Sequence, residues 1–229
     1  ADPAAVQVTG SIKFEVELPA SLTEVAQVLR REWGQERPVW IAGSTHEHEE
    51  EQVLDAFEQL LPGHPDLLLV LVPRHPERFP AVAKLCRRRG LGIVRRSDDA
   101  GGVDFGTRVY LGDTMGELSL MYAASDIAFV GGSLVPSGGH NILEPCALGL
   151  PVLFGPHMRN FLQISEMAIE RGAGVQVADA AELARGVDRY LADANLRFTA
   201  GEKGREMVRE NRGALRKTLA VLEKLDPGR

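Results

Sequence analysis

Gly138-Gly139-His140-Asn141 is followed three residues later by Glu144. Two glycines let consecutive backbone N–H groups converge on one point. The histidine and the asparagine add polar side chains, and a carboxylate one helical turn further on can accept hydrogen bonds from a pair of hydroxyls. That combination suits an anion, most often a phosphate, with a sugar diol beside it. Asn141 is expected to face the phosphate and Glu144 the diol, so that one loop holds both halves of a nucleotide. The loop belongs to a longer run, Gly131 to Pro145, fed directly by the apolar segment Ile127 to Val130.

Further polar loops follow apolar runs elsewhere. Gly43-Ser44-Thr45-His46-Glu47 follows Val39–Ala42. Ser44 and Thr45 can cap the next helix or touch a phosphate. Pro73-Arg74-His75-Pro76 follows Leu67–Val72. An arginine held between prolines can neutralise a phosphate or carboxylate with paired hydrogen bonds, or form a surface ion pair. His75 is a second candidate anion ligand. Gly112 to Leu118 follows another run. There Gly116 permits close approach of a flat group, and the backbone from Met115 through Gly116 and Glu117 to Leu118 can read the edge of a base. The same residues also read as an ordinary helix start, with Asp113 or Thr114 as cap. Gly155 to Phe161 lies on the same rim.

These loops need a scaffold that brings them to one edge. Short continuous apolar runs alternate with amphipathic stretches: strands at Val39–Ala42, Leu67–Val72, Gly92–Arg95, Arg108–Leu111, Ile127–Val130, Pro151–Phe154 and Gly174–Val177. Helices are expected at about Glu47–Leu60, Glu77–Arg89, Gly116–Ala124, Asn141–Leu148 and Asn160–Arg171, with helix throughout from Ala180. Continuous rather than alternating apolar strands indicate a parallel sheet covered on both faces. The pattern predicts an α/β, doubly wound, Rossmann-like fold whose ligands bind beyond the carboxyl ends of the strands. In the C-terminal third, Leu215, Leu219 and Leu222 recur at helical spacing and are expected to pack.

With 229 residues, 44% hydrophobic and 25% charged, the chain has the makeup of a soluble globular protein. A net charge of -6 argues against a nucleic-acid partner. Arg87, Arg88, Arg89, Arg95 and Arg96 form a local basic patch, read as a solvated helix end and strand edge, with an anionic membrane surface as the alternative. Cys86 and Cys146 fit no metal spacing and read as reduced core or helix residues. His46 and Glu50 share a helix face, but no third ligand accompanies them, so an acidic first turn is the expectation and no metal or cofactor is invoked. No run is long and apolar enough to span a bilayer, Ala1 to Gly10 does not read as a signal peptide, and neither a nucleophile elbow nor a Walker lysine loop is present.

Five ordered motifs now coincide: Val8 to Phe14, Ala42 to Glu47, Val72 to Phe79, Asp113 to Leu118, and the dense stretch from Phe129 through Glu144-Pro145 to His157 and Asn160-Phe161. Over nearly its whole length the chain resembles the C-terminal half of 3-deoxy-D-manno-octulosonic acid (Kdo) transferases, bacterial lipopolysaccharide enzymes of the GT-B glycosyltransferase fold. Two departures are small: the family often has glycine where His48 stands and proline where Ile142 stands. The resemblance implies that residues 1–229 form the CMP-Kdo donor-binding domain, with C-terminal helices from about 180. The acceptor-binding N-terminal half and its carboxylate general base would be absent.

By the same resemblance the whole enzyme transfers Kdo from CMP-Kdo to a lipid A precursor, with inversion, at the cytoplasmic face of the inner membrane. This chain would be soluble and inactive alone. Arg74, with His75, would offset phosphate or Kdo carboxylate charge. Gly138, Gly139, His140 and Asn141 would stabilise the leaving phosphate, Glu144 would bind the ribose, and Met115 to Leu118 would read cytosine. Two competing readings are a UDP-sugar GT-B enzyme or sugar-nucleotide epimerase, and a non-catalytic module working through the Arg87–Arg96 patch.

Overall fold

Strands without polar alternation can persist only where both faces are covered, and that is how the apolar runs are used. The computed structural model describes residues 6–98 and 102–225. Residues 99–101, in the polar Ser97–Gly106 loop, and the first five residues lie outside them. The strands are β1 (Val39–Thr45), β2 (Leu68–Pro73), β3 (Gly92–Arg95), β4 (Thr107–Leu111), β5 (Ile127–Val130), β6 (Val152–Phe154) and β7 (Gly174–Gln176). They form one sheet of order β3-β4-β2-β1-β5-β6-β7, with every neighbouring pair parallel. All seven residues of β1 are buried.

The helices are α1 (Leu22–Trp33), α2 (Glu50–Leu60), α3 (Phe79–Arg88), α4 (Leu118–Ala123), α5 (Leu143–Leu148), α6 (Leu162–Arg171), α7 (Ala180–Ala192), α8 (Ala194–Asn211) and α9 (Ala214–Leu225). Val39 and Ile41 point into a core layer shared with Ala26, Leu29 and Trp33 of α1. Trp40 and Ala42 point the other way, against Val53, Leu54 and Phe57 of α2 and Leu183 of α7. Each such buried aliphatic or aromatic side chain contributes about 1.5–3 kcal/mol. The sheet is therefore the rigid part on which the rim loops are mounted.

From β1 the chain builds outward through β2 and β4, then returns to place β5 on the other side of β1. The loops after β1 and β5 must therefore diverge, and they open the crevice where doubly wound sheets bind ligands. A register shift at the end of β1 puts Ser44 in the left-handed region, with φ 57°.

The helix starts differ from expectation. α2 begins at Glu50, not Glu47, because His48 has φ 67°, a left-handed turn that stops earlier helical winding. α5 begins at Leu143: Asn141 lies outside it, and its Oδ1 accepts a hydrogen bond from the Leu143 amide at 3.0 Å. A 3₁₀ turn, Arg159–Phe161, precedes α6. α1 had no counterpart among the sequence expectations. The C-terminal helices start where Asp179 and Asp193 accept from the amides of Glu182 (2.8 Å) and Leu196 (2.9 Å). Leu215, Leu219 and Leu222 are not packed as expected. They are 49%, 50% and 55% exposed, because α9 rests on the Ile12–Phe14 turn and turns its leucine face outward. No described helix is long and apolar enough to cross a membrane.

Candidate functional site

The glycine-rich loop after β5 is held from the opposite side of the crevice. Glu49, just before α2, is fully buried. One carboxylate oxygen accepts from the amides of Gly132 (2.7 Å) and His46 (3.1 Å), the other from those of Ser133 (3.0 Å) and Leu134 (2.9 Å). Burial raises the pKa of this carboxyl, and the backbone donors from Leu134, Gly132, Ser133 and His46 oppose that rise. The sequence reading put these glutamates in an acidic first helical turn. Glu49 is instead an internal anion seated in the first half of the loop. Nothing in its spacing reveals this, since three of its four partners lie 83 to 85 residues away. Gly132 has φ 66°, and a Cβ there would come within 2.8 Å of the His140 ring, so glycine is required.

The second half of the loop is different. The Gly139 amide donates to Gly132 O at 2.8 Å, but among the described residues the amides of Gly138, His140 and Asn141 have no acceptor. His140 and Asn141 border a cleft of about 290 Å³ lined also by Ser44, Val72, Pro73, Arg74, Thr114, Met115, Gly116, Leu118 and Glu144, and Gly138 borders the neighbouring one. Four loops expected to cooperate, those after β1, β2, β4 and β5, are thus brought to one place. Glu144 is oriented by Ser119 Oγ, 3.1 Å from its Oε2, and by Asn141 Nδ2, 3.4 Å from its Oε1. The Asn141 side chain therefore caps α5 and steadies Glu144, where it was expected to face a phosphate. α5 has only six residues. Its individual amides matter more than any macrodipole.

Histidines close one wall. His46 Nε2 and His140 Nε2 are 2.7 Å apart, with rings stacked at 17°. One ring must donate and the other accept, so both cannot be protonated. Burial, then the neighbouring His46, Arg74 and His75, push His140 down to about 4. Burial, then His75, Arg74 and Arg78, also lower His46. At neutral pH this wall offers hydrogen bonds but no charge. The cleft's positive charge is that of Arg74, which is exposed and has no carboxylate partner among the described residues. His75 stands behind it, edge-on to His46 with ring centroids 5.3 Å apart.

Of the expected donor contacts, Thr45, His75, Glu117, Gly138 and Gly139 are absent from the lining of this cleft. Thr45 is fully buried with its Oγ1 unpartnered, because the register shift at Ser44 turns it inward. The Glu117 carboxylate is held by Arg96 at 3.0 and 2.7 Å and by the Thr114 hydroxyl, so only its backbone is available. The Arg96 hydrogen bonds hold its carboxyl below the usual range. Asp113 is similarly engaged: burial raises its pKa, but Ser97 and Arg95 outweigh this and hold it low. The expected solvated basic patch is thus largely consumed. Arg95 pairs with Asp113, Arg96 with Glu117, and Arg89 with Asp55 and Glu58. Cys86 and Cys146 are free and buried, pushed up to about 11 and about 12 by burial. Among the described residues no three metal-ligating side chains converge.

Known proteins are similar to this chain in sequence and fold. The family model for glycosyl transferases group 1 matches residues 100–207. A 3-deoxy-D-manno-octulosonic acid transferase of Haemophilus influenzae is 45% identical over 219 residues, covering 95% of this chain and 51% of that protein. Its counterpart from Bordetella pertussis is 38% identical over 222 residues, covering 96% of this chain and 51% of that protein. The chain thus spans about half the length of these curated relatives. The crystal structure of the C-terminal CMP-Kdo binding domain of WaaA from Acinetobacter baumannii superposes with TM-score 0.77 at 37% identity, covering 82% of this chain and 98% of that one. Taken with the parallel sheet and the crevice at its switch point, these matches place the chain in the 3-deoxy-D-manno-octulosonic acid transferase family, as its Rossmann-like GT-B C-terminal domain.

Proposed function

We propose that this domain binds CMP-Kdo and presents it for transfer of Kdo to a lipid A precursor in lipopolysaccharide synthesis. The observation that carries the reading is the unaccepted amides of His140 and Asn141 in one cleft with Arg74 and Glu144, and that of Gly138 next to it. Arg74, with His75 behind it, offsets the phosphate charge. Glu144, already oriented by Ser119 and Asn141, accepts from the ribose hydroxyls. The backbone of Met115 to Leu118, with Ser44 and Pro73 opposite, takes the cytosine. As the bond from the Kdo anomeric carbon to the phosphate oxygen breaks, negative charge grows on CMP. On this reading the loop amides and Arg74 meet that developing charge, so they stabilise the transition state more than the ground state.

The acceptor hydroxyl and the carboxylate that removes its proton belong, on this reading, to the other half of the full-length enzyme, which works at the cytoplasmic face of the inner membrane. The domain alone then completes no transfer, and acceptor-dependent release of CMP by the purified chain would contradict that.

The direct test is calorimetric titration of the chain and of Glu144→Ala with CMP, UMP and UDP. CMP is expected to bind best and to weaken at least about tenfold in the variant, the loss of a charged acceptor from two hydroxyls. Preference for UDP would assign the cleft to a UDP-sugar. Absence of binding by any of the three would contradict the donor reading.

A further inference from the structure

A second cleft lies on the other side of the same loop. It measures about 350 Å³ and is lined by Pro136, Gly138, Pro156, His157, Arg159 and Leu162, with Met158 at its base. That volume falls in the range of small-molecule sites, about 300–1,000 Å³. Gly138 lines this cleft while His140 and Asn141 line the first. Three peptide units separate Gly138 from Asn141, so the two linings are at most about 11 Å apart along the chain. A phosphate seated on the amides between them has one cleft on each side.

The two clefts differ in charge. The first contains the Glu144 carboxylate, and the lining of the second contains no acid. Arg159 is exposed and, like Arg74, has no carboxylate partner among the described residues. The other arginines on this rim are paired: Arg78 with Glu47 and Glu50, Arg95 with Asp113, Arg96 with Glu117. The two unpaired guanidiniums therefore flank the open half of the glycine-rich loop.

The turn that bears Arg159 is fixed to that loop. His157 N donates to Ser133 O at 2.9 Å and Asn160 N to Gly138 O at 2.9 Å. The Asn160 carboxamide lies so close over Gly138 that a Cβ there would meet it at 2.7 Å. Lys13 Nζ donates to Asn160 O at 2.6 Å and sits 4.5 Å from the Phe161 ring centroid. Arg159 is thus carried by a braced backbone beside the loop, with its side chain exposed and bordering both this cleft and the neighbouring one at Lys13 and Phe161.

We propose that this second cleft receives the acidic sugar of the donor, with the Arg159 guanidinium as counter-ion to the sugar carboxylate and His157 beside it. Arg74 is then left to the phosphate. The assignment rests on the donor reading above and extends it from the nucleotide to the sugar. A neutral sugar gains nothing from Arg159, so this residue sets the preference for an acidic one. A planar guanidinium suits a carboxylate through paired hydrogen bonds.

The test is calorimetric titration of the chain, Arg159→Ala and Arg74→Ala with CMP and with freshly prepared CMP-Kdo. In Arg159→Ala, CMP affinity is expected to stay within about twofold while CMP-Kdo weakens about tenfold or more, the loss of one charge-assisted pair. Arg159→Lys should recover part of the loss, and Arg74→Ala should weaken both ligands alike. Arg159 is exposed, so an unchanged thermal midpoint will show that the variant is folded. Equal effects of Arg159→Ala on both ligands, or none on either, overturn the sugar assignment while leaving the nucleotide reading intact. Failure of the unsubstituted chain to bind CMP overturns both.

Discussion

In the first half of the loop after β5, the amides of Gly132, Ser133 and Leu134 end on the buried Glu49 carboxylate. In the second half, those of Gly138, His140 and Asn141 end on no acceptor among the described residues. Both halves are glycine-rich turns at the carboxyl edge of one parallel sheet, and both converge backbone donors. What separates them is whether the protein supplies the anion itself. A built-in carboxylate makes the first half a fixed strut between β1 and β5. That strut holds the second half at a set position without filling it, so a ligand's phosphate meets donors that need no rearrangement.

Removing the built-in anion should have the largest effect. Glu49→Ala leaves four amides without their acceptor, two of them buried, at about 1–3 kcal/mol for each buried one. The expected loss is about 4 kcal/mol, or roughly 10 °C in thermal midpoint for a chain of this size. Glu49→Gln, which keeps one acceptor oxygen, should lose about half as much. A Glu49→Ala chain that melts with the unsubstituted protein would remove the distinction between the halves.

A smaller effect comes from the histidine wall. His140 is depressed in the fold to about 4 from an ordinary 6.5. Between those values the unfolded chain binds more protons than the folded one. Stability is therefore full above about 6.5 and declines as pH falls toward about 4, by at most about 1.4 kcal/mol per pH unit for one histidine. Denaturant unfolding across that range should show the decline, and His140→Asn should reduce it. An unchanged pH dependence in His140→Asn would mean that the wall is not what couples protons to folding.

The smallest effect sharpens the view of Glu49's own support. His48 holds a left-handed backbone in the turn that delivers Glu49. His48→Gly should relieve that strain and stabilise by about 0.4–1 kcal/mol, a rise of roughly 1–4 °C. A fall in midpoint would mean that the imidazole makes a contact outweighing the strain.

The sheet and the open half of the site were legible because their signals are local. Continuous apolar strands, proline-bracketed Arg74 and the Gly138–Glu144 run all carry their meaning within a few residues. The Glu49 strut, the Arg95–Asp113 and Arg96–Glu117 pairs and the inward turn of Thr45 were not. Each depends on which residues the crossovers bring together, or on a register shift at one strand end. The same holds for Arg159, whose turn could be placed on the rim from sequence. Its unpaired state shows only once the rim's other arginines have found their carboxylates. Asn141 was half legible: it lines the same cleft as Arg74 and Glu144, but its side chain is taken by the helix start it precedes.

The division of the loop is tested most directly by amide NMR during a CMP titration. Shifts and slowed exchange are expected at Gly138, His140 and Asn141, with Gly132, Ser133 and Leu134 unmoved and already protected by Glu49. Perturbation centred on Gly132 to Leu134, or none at Gly138 to Asn141 while CMP binds, would contradict the view that the open half holds the phosphate.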